Sequence, residues 1–340
     1  MRSQLFIEAH QSPERVVSHL KQHAKLYAEL ADQLKSRKIS QLITIARGSS
    51  DHAASYLSYL SMMKLGIVAT SMPMSIATLH RAQLNAKSVL AVAYSQSGQS
   101  PDLTLTLQYF AQQGATTLAF VNDTQSPLSF AADRVIDLLA GPETSVAATK
   151  SFITQLVGGL SLVSHWSQDE IFLSGLSSLS NALEYARELE WSHAADRFKS
   201  VQNMFVVSRG LGMSVASETA LKLKEICGIQ AEAFSSAEVK HGPMALIGHH
   251  FPVLVMATSG PELQGLLDFA THMRERGANV VLAGPPKLPN IDLPIFQTGI
   301  PEFDPIMAIQ SFYPMVEALA RLRGLDPDKP PHLSKVTQTH

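Results

Sequence analysis

ITIARGSSDHAAS at residues 43–55 returns without a gap as FVVSRGLGMSVAS at residues 205–217, and Gly66-Ile67 returns as Gly228-Ile229 at the same offset. VLAVAYS (89–95) is matched by VLVMATS (253–259), and GATTLAF (114–120) by GANVVLA (277–283), with the offset drifting by only one or two residues. Self-similarity over this span is the mark of a duplicated structural unit. Within each copy, short apolar runs of strand type alternate with amphipathic helical stretches, which predicts a parallel sheet covered by helices on both faces. The fold class is therefore α/β, with two tandem domains: 39–166 and 201–325. Residues 1–38 read as an N-terminal helical segment, 167–200 as a helical linker and 326–340 as a tail. The helix from Pro13 to Arg37 carries Val16, Val17, Leu20, Tyr27, Leu30 and Leu34 as an apolar stripe, suited to packing on a domain or a second subunit.

Working outward, the turns that follow two strands carry hydroxyls. Gln41 to Ala46 is strand-like, Arg47-Gly48-Ser49-Ser50 is a turn, and Asp51 to Leu65 reads as a helix closed by Gly66. Val89 to Tyr94 is a second strand, followed by Ser95-Gln96-Ser97-Gly98-Gln99-Ser100. Pro101 suits the first helical position and Ser100 the N-cap, so hydroxyls and backbone N–H groups converge at a helix N-terminus. That arrangement suits a phosphate. Neither GxxxxGK[ST] nor a post-strand GxGxxG occurs, so a monophosphate ester fits better than a nucleotide.

In ETALKLKEICGIQAEAFSSAEVKHGP (218–243), Glu218, Lys222 and Glu225 fall at i, i+4 and i+7 on one helical face, and His241 follows in a loop. Such a face is commonly a solvated lattice of ion pairs. Alternatively it is an acid, a base and a cation assembled for proton transfer, and the serine turns favour that second reading.

The 340 residues exceed what one core usually supports, and 45% are hydrophobic. A net charge of −2 without a basic block argues against nucleic acid and anionic membranes as partners. The lone Cys227 fits a reducing compartment and reads as a packed residue. No apolar stretch reaches membrane-spanning length and no signal-peptide core follows Met1, so a cytoplasmic location is expected. The 13 histidines include no HxH or HExxH pair, so no metal site is expected. Met62, Met63, Met72 and Met74 read as core.

The SQSGQS turn, ETSVAATKSF (143–152), the 218–243 stretch and DPDKPPHLSKVT (326–337) together closely resemble the isomerase half of glucosamine-fructose-6-phosphate aminotransferase, a tandem of two sugar isomerase (SIS) domains. The resemblance spans nearly the whole chain from about residue 40. It implies a phosphate site at Ser95, Ser97 and Ser100 joined by Ser50, with Gln96 and Val146 also on the sugar phosphate. It implies Glu225 as the base that moves a proton between C1 and C2, and His241 as the ring-opening group, contributed by the partner subunit of a homodimer with a shared active site. Lys222 matches a neighbouring lysine, and Lys335 the lysine that meets the C2 carbonyl as a Schiff base, so the tail completes the active site. A lysine needs a lowered pKa to act as a nucleophile. No cofactor is implied.

The family's glutaminase domain has no counterpart in this sequence, so the chain is expected to resemble the stand-alone deaminases that convert glucosamine 6-phosphate to fructose 6-phosphate and ammonia. A fructosamine-6-phosphate deglycase and a non-catalytic sugar-phosphate sensor are the alternatives. Arg47 replaces a cysteine of the family, Ala148 a frequent hydroxyl and Pro331 an arginine. Of these, Arg47 places a charge beside the phosphate turn.

Overall fold

A computed structural model describes residues 2–335. The chain forms two compact units that do not follow the chain order strictly. One is built from 14–143 and 150–177 and takes in Ser334 and Lys335; the other is built from 178–333 and takes in residues up to 13 and 144–149.

The first unit holds strands β1 (Gln41–Ile45), β2 (Val68–Ser71), β3 (Val89–Ser95), β4 (Thr116–Val121) and β5 (Arg134–Asp137) in the spatial order β2-β1-β3-β4-β5. Every pairing is parallel, with Gln41 opposite Val89 and Ile45 opposite Ala93 in the central pair. Every residue of β3 and β4 is buried, because helices cover both faces. The second unit holds β6 (Asn203–Ser208), β7 (Gln230–Ser235), β8 (Pro252–Met256), β9 (Asn279–Gly284) and β10 (Leu293–Pro294), again all parallel, in the order β7-β6-β8-β9-β10. Strand for strand this is the order of the first sheet, so the duplication read in the sequence is a duplication of topology.

The repeated Gly-Ile pair shows why the copies keep those letters. Gly66 and Gly228 close their helices (Gly48–Leu65 and Gly212–Cys227) in the left-handed conformation, with φ of +65° and +61°. The following isoleucine N–H then bonds back to the carbonyl of Ser61 or Leu223, six residues earlier. The first of these helices starts at Gly48, three residues before the predicted Asp51, because the serines of the turn already have helical geometry.

The N-terminal segment is two helices, Gln4–His10 and Ser12–Ser36. The buried stripe of the longer one is Val16, His19, His23, Tyr27, Leu30 and Leu34, while Val17 is exposed. Leu20 is only half-buried, and two histidines join the apolar stripe that was expected; the core satisfies them: His19 bonds the Leu138 carbonyl and the Tyr27 hydroxyl, and His23 the Asp137 carbonyl. Met72 and Met74 are core, but Met62 and Met63 are exposed near the end of their helix. Among the described residues no helix is long and apolar enough to cross a membrane.

Candidate active site

In an open parallel sheet, ligands bind at the carboxyl ends of the strands where the chain's direction of travel reverses. In the first unit β1 pairs with both β2 and β3, so the reversal lies between β1 and β3. The segments leaving those two strands are the turns Arg47–Ser50 and Ser95–Ser100, the same hydroxyl-bearing turns singled out above.

The Ser95–Ser100 turn is fixed by its own atoms. Gly98 N–H donates to Ser95 Oγ at 2.9 Å and Gln99 N–H to Ser97 Oγ at 3.3 Å. Gly98 has φ +65°, and a Cβ there would lie 2.0 Å from Ser126 Oγ, so only glycine fits. Ser100 is the N-cap of the Pro101–Gln112 helix as expected, yet its side chain does not cap that helix. Ser50 Oγ accepts from Gln155 Nε2 at 2.9 Å. Arg47 donates through Nε and Nη2 to Asp102 Oδ2 at 3.2 and 3.0 Å. Its charge therefore ties the first turn to the helix that follows the second, so Arg47 is a strut between them. Gln155 lies in the apolar run SFITQLVGGL, and nothing in the sequence marks it out.

The second unit does not repeat the serine turn. The helix after β8, Leu263–Glu275, has Glu262 at the N-cap position that Ser100 occupies after β3. The Glu262 carboxylate packs over Gly210, where a Cβ would come within 2.3 Å of Oε1. This unit carries instead a cluster of charged groups on one helix. On Gly212–Cys227, Lys222 Nζ lies 2.5 Å from Glu225 Oε2 and 3.3 Å from Glu218 Oε1. Lys222 and Glu218 are fully buried, whereas the Glu225 side chain is 22% exposed. The face is a sealed ion triad with one carboxylate opening outward, and not a solvated lattice.

Burial works to lower the Lys222 pKa, but Glu218 and Glu225 outweigh it and raise the value. Lys222 is thus held as an ammonium that orients Glu225, a state opposed to nucleophilic attack. His241 ends a short turn, Glu238–His241, where it is exposed; among the described residues it makes no hydrogen bond or ion pair with Lys222 or Glu225. Cys227 packs in the core with its thiol pushed up to about 12 by burial, so it is no nucleophile.

In the first unit, Lys335 Nζ lies 3.2 Å from Glu143 Oε2. Glu143, at the head of ETSVAATKSF, is buried and also accepts from the Ser151 N–H and hydroxyl. It was not singled out in the sequence, although an acid in a segment of small and apolar residues is a usable signal. Val146, three residues on, is half-buried. Among the described residues no group of three or more His, Cys, Asp or Glu side chains is placed to hold a metal ion.

The sequence profile of the SIS domain matches residues 22–164 and 198–283, one stretch in each copy. The chain belongs to the SIS domain family. It is 31% identical over 326 residues to the glutamine–fructose-6-phosphate aminotransferase (isomerizing) of Thermus thermophilus, covering 90% of this chain and 53% of that protein. To the same enzyme of Aeropyrum pernix it is 33% identical over 316 residues, covering 87% and 50%. The chain thus spans about half the length of the curated relatives it matches. Among solved structures, a candidate phosphosugar isomerase from Silicibacter pomeroyi DSS-3 superposes with a TM-score of 0.91 at 36% identity, over 96% of this chain and all of that one. The C-terminal domain of glucosamine-fructose-6-phosphate aminotransferase from Francisella tularensis (TM-score 0.84, 23% identity, 97% and 99% of the two chains) and the glucosamine-6-phosphate deaminase of Thermotoga maritima (0.80, 19%, 99% and 100%) share the fold.

Proposed function

We propose that this SIS protein is an amino-sugar-phosphate deaminase and isomerase that converts glucosamine 6-phosphate to fructose 6-phosphate and ammonia. The observation that carries the reading is the sealed triad with its single outward carboxylate. A buried ammonium fixes Glu225 in place, and only Glu225 of the three can meet a substrate. The Ser95–Ser100 turn at the strand reversal of the first unit, with Ser50 beside it, supplies neutral donors suited to a 6-phosphate. Kinship to isomerizing aminotransferases supports a phosphosugar as substrate.

In the proposed reaction His241 helps open the pyranose ring, and Glu225 takes the C2 proton of the open aldose to give an enolamine. Return of a proton to C1 leaves an imine at C2. Water adds to that carbon and ammonia leaves, giving the ketose. Lys335, paired with Glu143 and with a side chain 23% exposed, is the lysine proposed to engage C2 once it leaves that carboxylate, while Lys222 serves as the orienting cation of Glu225. His241 is exposed and unbonded to the triad of its own chain, which supports its acting in a homodimer on the neighbouring subunit's substrate. The path uses no cofactor.

The test is ammonia release from glucosamine 6-phosphate, run beside amino-acid release from fructoselysine 6-phosphate. Loss of a general base typically costs about 10²–10⁴-fold in rate, so Glu225→Gln is expected to lower turnover by that order. It should also abolish exchange of the C2 hydrogen with solvent. Exchange at the wild-type rate in that variant defeats the assignment of the base, and amino-acid release without ammonia release makes the chain a deglycase.

A further inference from the structure

The short helix Gln4–His10 does work that its sequence does not announce. It sits on the long helix Asp304–Leu322 of the second unit: Leu5 and Ala9 are fully buried, Gln310 Nε2 donates to the Ala9 carbonyl at 3.1 Å, and Ser3 Oγ to Glu317 Oε1 at 2.8 Å. From this base it reaches two segments that have no regular structure. Glu8, buried, accepts from Thr144 N–H at 2.6 Å, from Thr144 Oγ1 at 3.2 Å, from Ser145 N–H at 3.3 Å and from Gln4 Nε2 at 3.1 Å. Asp328, in the tail, accepts from the N–H groups of Gln4 and Leu5, both at 2.8 Å, and from Ser145 Oγ at 3.0 Å. Ser145 is thus bonded to both carboxylates.

The physical logic is that irregular backbone has no ladder partners, so its buried N–H groups must be met by side chains. Burying a carboxylate is costly unless its lone pairs are filled. Glu8 meets both demands at once for the 144–145 backbone. Asp328 likewise meets two orphan N–H groups at the start of the helix, and its negative charge lies where the helix dipole favours it. The two acids therefore peg the segment before Val146 and the tail before Lys335 to one rigid helix.

We propose that Glu8 and Asp328 are positioning residues that set the register of the 144–149 segment and the 326–335 tail, and so the placement of Val146 and Lys335. This rests on the reading above that those two residues meet the substrate. Misplacement of a reacting group by about 1 Å can cost on the order of 10²-fold in rate, so the pegs act on turnover more than on affinity.

Two variants test it: Glu8→Gln, which puts an amide donor among N–H donors, and Ser145→Ala, which deletes only the bond to Asp328. Hydrogen exchange of the 144–149 and 326–333 amides should accelerate in both. In Glu8→Gln, kcat for glucosamine 6-phosphate should fall tenfold or more with KM changed less than threefold, measured well below the melting temperature; Ser145→Ala should show the same split, more weakly. Faster exchange with wild-type kcat in both variants would overturn the positioning role while leaving the proposed reaction intact. Absence of ammonia release by the wild type would defeat the proposed reaction instead. The pegs are then judged by exchange alone, and unchanged exchange in Glu8→Gln overturns them.

Discussion

Replacing Lys222 with methionine keeps most of the side-chain volume and removes the ammonium that two carboxylates share. Glu218, fully buried, then loses the cation 3.3 Å from its Oε1. Breaking a buried pair from one side costs about 3–5 kcal/mol, because a charge stays behind in a dry site. Glu225 contributes less to that cost, since water reaches it. For a unit of this size each kcal/mol moves the melting temperature by roughly 2–4 °C, so a drop of roughly 6–20 °C is expected at pH 7.

The pH dependence has a definite sign. The folded-state pKa of Lys222 is raised, because the two carboxylates outweigh burial. Its stabilisation is therefore complete below the ordinary lysine value and is lost as pH rises through the raised one. The gap between wild type and Lys222→Met should be constant from pH 7 to about 10 and shrink above that. Adding Glu218→Gln to Lys222→Met removes the stranded charge and should restore part of the loss, a coupling that thermal melts of the four proteins measure directly. A Lys222→Met protein that melts within about 1 °C of wild type, or a double variant whose losses simply add, would refute the sealed triad.

Two further outcomes are expected. Gly98→Ala incurs about 1–2 kcal/mol of left-handed backbone strain and sets a Cβ 2.0 Å from Ser126 Oγ; the variant should lose any stabilisation by added inorganic phosphate that the wild type shows in thermal melts, and a wild-type melting point with the wild-type phosphate response would count against the turn. His19 has a pKa lowered to about 3, chiefly by burial, with His23 nearby adding to the effect. Stability should therefore fall as pH drops from about 6.5 towards that value, with this residue adding a slope of up to about 1.4 kcal/mol per pH unit. His19→Gln should flatten that part of the curve in denaturant titrations, and an unchanged difference between the two proteins from pH 7 to 4 would contradict it.

Much of the fold was legible because it rests on local rules. The Gly-Ile pairs, the apolar strand runs and the Ser100-Pro101 helix start follow from backbone geometry that few residues satisfy, and the duplication doubled every signal. The serine turns were legible for the same reason, since sheet topology returns them to one strand reversal. The sealed state of Lys222 was not legible: helical spacing places three charges on one face but cannot say whether that face meets water or core. Arg47 and Asp102 are 55 positions apart, and their pairing depends on which strands become neighbours. His19 and His23 are polar by type, and only the carbonyls of Leu138 and Asp137, more than 110 positions away, let them sit in the core. Glu8 was invisible because the backbone it satisfies, at Thr144 and Ser145, lies more than 130 positions away.

The helix near the front of the chain also bears on how the molecule comes to be folded. The bond from Gln4 N–H to Asp328 spans 324 positions, and the first sheet's unit takes in Ser334 and Lys335. On a ribosome, Gln4 must wait until Asp328 has emerged before it meets its acceptor. Contacts of such long range close late, since their loop entropy is offset only once the intervening structure exists. Severing the chain between the two copies would accordingly not yield two whole units: each fragment would lack a piece that the other carries.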